Sequence, residues 1–180
     1  FHLGMVELIS YWKAACPREI VVKAGQLDRR QIAWWKNLML NGLGEFFYQN
    51  KIDFTSPDFV RIISSQHSTF HILYSKIAKG DLILAGGGKD SAVTLELLKN
   101  LNKRQAIMVL GDLKPAMQSA QIAGYSKLIK VKRMIDPRLL KLNKSGYLNG
   151  HTPFSAYLAF LGTLVAAIHG YRHVIASNER

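Results

Sequence analysis

Cysteine occurs once in 180 residues, at Cys16. A single thiol excludes a disulfide framework and a cysteine-based zinc site within the chain, and it agrees with a reducing cytoplasm, the predicted location. Acids are also scarce: 12 Asp and Glu stand against 24 Lys and Arg, a formal charge of +12. That excess favours anionic partners, namely nucleic acid, nucleotides or a polyanionic metabolite. No apolar run reaches transmembrane length, so no membrane insertion is predicted. The first residues lack the basic-then-apolar layout of a signal peptide. Internal repeats and low-complexity segments are absent. His2, His67, His71, His169 and His173 form no metal-binding spacing.

With 48% hydrophobic and 20% charged residues, the chain can build a real core, and its length suits about one domain with a small appendage. It opens on Phe1 and stops just after an apolar run, so it reads as a fragment or a processed form. Leu3, Val6, Ile9 and Trp12 recur at helical spacing before Cys16-Pro17, and EIVVKAG reads as a short strand. Asp28 is placed to cap a helix that Asn41 to Gly44 should break. Trp34, Trp35, Phe46, Phe47 and Tyr48 invite a base-stacking role, but their helix-like spacing favours core packing. VRIISS and FHILYSK read as strands.

From Asp81 the pattern sharpens. DLILAG, AIMVLG, SKLIKVKR and HVIAS read as strands. Helices are predicted over Ser91 to Leu101, over KPAMQSAQIAG and over PFSAYLAFLGTLVAAIHG, and residues 136–153 read as a loop. Strands alternating with helices predict an α/β fold, a doubly wound parallel sheet. The expected division is an N-terminal α+β segment, residues 1–80, followed by a nucleotide-binding α/β domain, residues 81–180.

Gly86-Gly87-Gly88-Lys89-Asp90-Ser91 falls between the first of these strands and its helix. In a parallel sheet, ligands sit outside the carboxyl ends of strands. A helix N-terminus there offers unpaired N–H donors and the positive end of a dipole, and glycines let the backbone approach a phosphate. Lys89 can add a charge, Ser91 a hydroxyl, and Asp90 can cap the helix or hold a metal ion through water. A plain strand-to-helix turn is the structural alternative. The spacing fits neither G-x-x-x-x-G-K-[ST] nor G-x-G-x-x-G.

Gly87-Gly88-Lys89-Asp90-Ser91 instead resembles the pyrophosphate loop of N-type ATP pyrophosphatases, Ser-Gly-Gly-x-Asp-Ser after the first strand, with Gly86 in place of the leading serine. The resemblance implies a sheet of the PP-loop, adenine-nucleotide alpha hydrolase type, with ATP and Mg²⁺ as cofactors and AMP and pyrophosphate as products. NGLGEFFYQN, NGHTPFSAY, ASNER and the opening FHLGMVELISYWKAACP extend a second likeness over most of the chain. Together with AGGGKDS they resemble the ATP-dependent epimerases that act on UDP-N-acetylmuramoyl-L-alanyl-L-glutamate in bacterial peptidoglycan synthesis. That resemblance implies a UDP-muramoyl dipeptide substrate whose terminal glutamyl carboxylate is adenylated, inverted at its α-carbon and released by hydrolysis.

His151 is the first candidate proton carrier, since imidazole titrates near neutral pH; a loop histidine bonded to backbone is the alternative. Glu179 is the second, able to take a proton or bind Mg²⁺. Asn149, Asn178 and Arg180 are candidate substrate-binding residues, Arg180 because its guanidinium can fork onto a carboxylate or phosphate. Lys89 completes the catalytic set and Asp90 is the candidate metal ligand. Two rival functions stay open. One is a tRNA-modifying ATP pyrophosphatase, favoured by Lys127, Lys130, Lys132 and Arg133 and opposed by the lack of a catalytic cysteine pair. The other is a non-catalytic adenine-nucleotide sensor.

Overall fold

The computed structural model describes residues 1–56, 58–64, 79–101, 104–150 and 153–177. Among these described residues it is mixed α/β, with two parallel sheets. Its elements fall into two compact units, one of residues 1–73 and 135–160, the other of residues 74–134 and 161–180. The units are discontinuous in sequence, so residues 135–160 group with the N-terminal unit rather than with the second half of the chain.

In the first unit, helix α1 (His2–Trp12) buries Val6, Ile9 and Trp12, as the sequence spacing predicts, with Met5 in place of the half-buried Leu3. Strand β1 (Glu19–Val22) alternates exposed and buried residues and pairs in parallel with β2 (Arg61–Ser64), Glu19 opposite Arg61. Helix α2 (Arg29–Gly42) starts at Asp28, whose carboxylate accepts from the Gln31 amide while the Gln31 side chain accepts from the Asp28 N–H. Such a reciprocal cap contributes about 1 kcal/mol. The chain breaks at Leu43 before α3 (Gly44–Gln49), within the segment predicted to interrupt the helix.

The aromatic residues divide. Trp35, Phe46 and Phe47 are buried, and Phe47 stacks on Phe54 at 4.8 Å and meets Phe59 edge-on at 5.2 Å. Trp34 and Tyr48 depart from the predicted core role, at 50% and 87% exposure. Neighbouring helix positions are 100° apart, so one of an adjacent pair can turn to solvent, as Trp34 does beside buried Trp35.

Residues 136–153 are not all loop. Helix α6 (Pro137–Lys144) begins with Pro137 in its first turn and Asp136 as its cap, the Asp136 carboxylate accepting from the Arg138 N–H at 2.8 Å. Asp followed by Pro is a helix start, with fixed φ and no lost hydrogen bond, and Leu139 buries against the unit. The segment after it is tied back to the residues that follow α1. The Leu148 N–H donates to the Ala14 carbonyl, and the buried Lys13 ammonium donates to the Gly150 carbonyl.

The second unit is a four-stranded parallel sheet ordered β5-β4-β3-β6, with β3 (Asp81–Leu84), β4 (Gln105–Leu110), β5 (Leu128–Val131) and β6 (His173–Ala176). Helices α4 (Lys89–Leu98) and α5 (Lys114–Ile122) link β3, β4 and β5 in turn. Leu95, Ala116 and Ala120 of those helices join Ile83, Ala85, Ile107 and Val109 in one buried cluster. Alternate strand residues point to opposite faces, and Leu84 and Val174 meet Gly162 of α7 (Phe154–His169). A Cβ at Gly162 would lie 3.0 Å from the Val174 Cγ1, so the glycine lets the helix settle on the sheet. Strand FHILYSK, predicted from sequence, lies outside the described residues.

Among the described residues, no helix is long and apolar enough to cross a membrane.

Candidate nucleotide-binding site

The strand order places β4 and β6 on either side of β3: the chain steps from β3 to β4 and β5 in one direction, then returns past them to β6 on the other side of β3. Leu84 lies opposite Ala176, so β3 and β6 end level at the carboxyl edge of the sheet. In open α/β sheets this reversal of strand order opens a crevice where ligands bind. The glycine loop leaves β3 there, and the chain leaves β6 through Ser177 at the same edge.

The three glycines have three different surroundings. The Gly86 N–H donates to the Ser91 hydroxyl at 3.0 Å, closing the loop over the first turn of α4. Gly87 takes φ +81°, and a Cβ on it would lie 2.8 Å from the Ala116 amide nitrogen and 3.1 Å from the Pro115 Cβ. Only glycine fits this left-handed position against the first turn of α5. Gly88 caps α4 in an extended conformation, and a Cβ there would meet nothing within 4 Å. Glycine is therefore required sterically at Gly87, while Gly86 and Gly88 keep the approach to the backbone open. A Cβ at Gly86 would meet only the Ser91 Oγ, at 3.9 Å, so the loop has room for a serine at this position.

Helix α4 begins at Lys89, two residues before the predicted start. Its cap residue, Gly88, has no side chain to satisfy the first amides, and Lys89 and Asp90 are exposed in the first turn. Asp90 thus does not cap the helix. Unfilled first-turn N–H groups beside an exposed ammonium form an arrangement that favours a phosphate. The Ser91 hydroxyl is buried, and its contact with Gly86 gives it a part in holding the loop as well as a proton to donate. Gly87 lets the loop turn tightly against the first turn of α5. Among the described residues no three His, Cys, Asp or Glu side chains gather around a possible metal ion. A Mg²⁺ ion here would take oxygen from Asp90, water and phosphate, in keeping with its habit of retaining water and using few protein ligands.

Of the other candidates, only Asn149 lies among the described residues. Asn149 belongs to the first unit, where its side-chain oxygen accepts from the Gly150 N–H at 2.8 Å. His151, Asn178, Glu179 and Arg180 lie outside the described residues. The basic residues around β5 have separate settings. The Lys127 ammonium lies 5.4 Å from the centroid of the Tyr171 ring, while Lys130 reaches Asp112 at 3.7 Å.

Two features escaped the sequence reading. One is the packing of Pro115 and Ala116 on Gly87, for which Gly111-Asp112-Leu113-Lys114-Pro115 after a strand was the available signal. The other is a buried carboxylate, Asp81, held at 2.8 Å by the His173 Nδ1 at the amino ends of β3 and β6. It lies at the opposite end of these strands from the loop and serves the sheet rather than the site.

Residues 1–180 match the family described as MurL N-terminal domain. Curated proteins named UDP-N-acetyl-alpha-D-muramoyl-L-alanyl-L-glutamate epimerase are also similar. The one from Xanthomonas oryzae pv. oryzae is 29% identical over 178 residues, 99% of this chain and 39% of that protein. The one from Salinispora tropica is 29% identical over 181 residues, 99% of this chain and 38% of that protein. A third, from a Micromonospora strain, is 29% identical over 178 residues. The chain thus spans about two-fifths of the length of the curated relatives it matches. No solved structure matches it.

Proposed function

The chain belongs to the MurL N-terminal domain family, and from that premise we propose that it is the ATP-binding part of an epimerase of bacterial peptidoglycan synthesis. The reaction converts the terminal L-glutamate of UDP-N-acetylmuramoyl-L-alanyl-L-glutamate to the D-isomer through an adenylated carboxylate. The observation that carries the ATP assignment is the glycine loop. It combines a sterically required Gly87, an amide clasp from Gly86 to Ser91 and an uncapped α4 with Lys89 in its first turn. The strand order and the helices on both faces support a doubly wound sheet of the PP-loop type.

The chemistry explains why an epimerase would need this loop. Removing the α-proton beside an ionised carboxylate would place a second negative charge next to the first. Attack of the carboxylate oxygen on the α-phosphorus of ATP forms an acyl adenylate and breaks the bond to the β-phosphate, so pyrophosphate leaves. The carboxylate charge is gone, the α-proton becomes acidic enough for an ordinary side-chain base, and the enolate oxygen can be stabilised. Proton return on the other face inverts the centre, and water then releases AMP. In this scheme the first amides of α4 and the Lys89 ammonium hold the departing pyrophosphate, and Ser91 keeps the loop in shape. Mg²⁺ at Asp90 would offset further negative charge. His151 and Glu179 are the proposed proton carriers, and Asn149, Asn178 and Arg180 the proposed contacts to substrate.

Nucleotide chromatography of a turnover mixture tests the loop assignment. AMP and pyrophosphate in equal amounts are expected. ADP and phosphate as the only products would overturn it, because the γ-phosphoryl group would then be the one transferred.

A further inference from the structure

The first unit carries a second candidate site that the loop chemistry does not use. His2, Gln31, Trp34, Trp35 and Phe160 line an open cavity of about 220 Å³. Its rings are ordered. Trp35 and Phe160 stack with centroids 5.3 Å apart and planes 22° from parallel. The His2 ring lies within 16° of the Trp35 plane and 20° of the Phe160 plane. Trp34 stands across them, at 87° to Trp35 and 82° to Phe160, and is half exposed.

Buried Trp35 anchors the group. Trp34 has no such explanation, because an exposed indole on a helix that already has a buried face adds little to the core. The cavity is smaller than the roughly 300–1,000 Å³ of sites that enclose a whole drug-sized ligand, so it suits a single ring. Two polar side chains reach it. The Gln31 side-chain oxygen is committed to the Asp28 N–H, so its amide nitrogen keeps both donors for another partner. Burial holds the His2 imidazole below its ordinary range, which favours the neutral ring, whose one bare nitrogen can accept a hydrogen bond.

We propose that this aromatic slot binds the uracil base of the nucleotide half of the substrate, with Trp34 as the stacking platform and Gln31 and His2 reading the imide edge. The inference rests on the proposed function for the identity of the substrate. The imide edge of uracil runs acceptor, donor, acceptor. The Gln31 amide nitrogen donates to one carbonyl, and the bare His2 nitrogen accepts from the ring N–H between the two carbonyls. Adenine fits less well, because its two rings exceed a single-ring slot and its edge presents an amino donor where Gln31 also donates. The diphosphate then extends out of the apolar slot.

Titration calorimetry of the full-length protein with UMP, AMP and N-acetylmuramic acid tests the assignment. Gln31→Glu keeps an oxygen for the Asp28 cap but replaces the donor with a charged acceptor, so folding is preserved while the uracil carbonyl is repelled. Trp34→Ala removes an exposed ring. Each variant should melt near the wild type and bind UMP about ten- to a hundredfold more weakly, the range that stacking on one aromatic side chain commonly supplies. Unchanged UMP affinity in both variants overturns the proposal. So does an absence of UMP binding to the wild type, as when another part of the longer protein fills the slot, or a preference for AMP or the free sugar that these variants abolish. Slot-dependent UMP binding without epimerase turnover would uphold the slot and refute the epimerase reading alone.

Discussion

Gly87→Ala should lower the melting temperature by roughly 5–15 °C and remove ATP-dependent turnover, while Gly88→Ala lowers it by only a few degrees. The two substitutions add the same methyl group to adjacent residues. At Gly87 the methyl meets a backbone nitrogen at 2.8 Å with φ at +81°. The left-handed conformation costs an alanine about 1–2 kcal/mol, and overpacking against the first turn of α5 adds about 1–3 kcal/mol. At Gly88 the methyl enters open space and the backbone is extended, so only a weakened helix cap is felt, under about 1 kcal/mol. Thermal melts of the two variants decide it. Equal melting temperatures would show that the loop does not pack on α5 in the way described.

Lys89→Ala should act on chemistry alone. Lys89 is exposed at the first position of α4 and no buried contact depends on it. Its removal should leave the melting temperature within about a degree or two. Pyrophosphate release should fall by about 10²–10³-fold, the usual loss when one preorganised charge or donor facing a developing anion is deleted. Lys89→Arg should recover part of that rate, because the charge returns with a different reach and shape. The check is kcat/KM for pyrophosphate release, measured beside the melting curve. A wild-type rate in Lys89→Ala would remove the lysine from the site.

The second half of the fold was legible because each strand is a short apolar run and each helix is bounded by glycine or proline. Leu82 to Leu84, Ile107 to Val109 and the Pro115 helix start all read correctly at this level. Helix α6 did not, because Pro137, Asn143 and Gly146 suggested a loop, while the Asp136 cap that makes proline favourable at a helix start went unread. The grouping of residues 135–160 with the N-terminal unit was beyond sequence pattern. It depends on contacts such as Lys13 to Gly150, made between residues far apart in the chain. Three identical glycines also could not be ranked from sequence, since backbone conformation and the approach of α5 decide which one is required. Trp34 and Trp35 pose the same difficulty: adjacent identical residues, one buried and one half exposed.

The central claim joins the nucleotide loop to inversion at carbon, and one measurement addresses that link directly. The full-length protein is incubated in deuterium oxide with Mg²⁺ and the UDP-muramoyl dipeptide, either with ATP or with an analogue that cannot release pyrophosphate. Deuterium at the α-carbon of the terminal glutamate is then followed by NMR. Adenylation before proton removal predicts exchange with ATP and none with the analogue, because the ionised carboxylate leaves the α-proton too weakly acidic. Equal deuterium uptake with the analogue, or with no nucleotide, would contradict it.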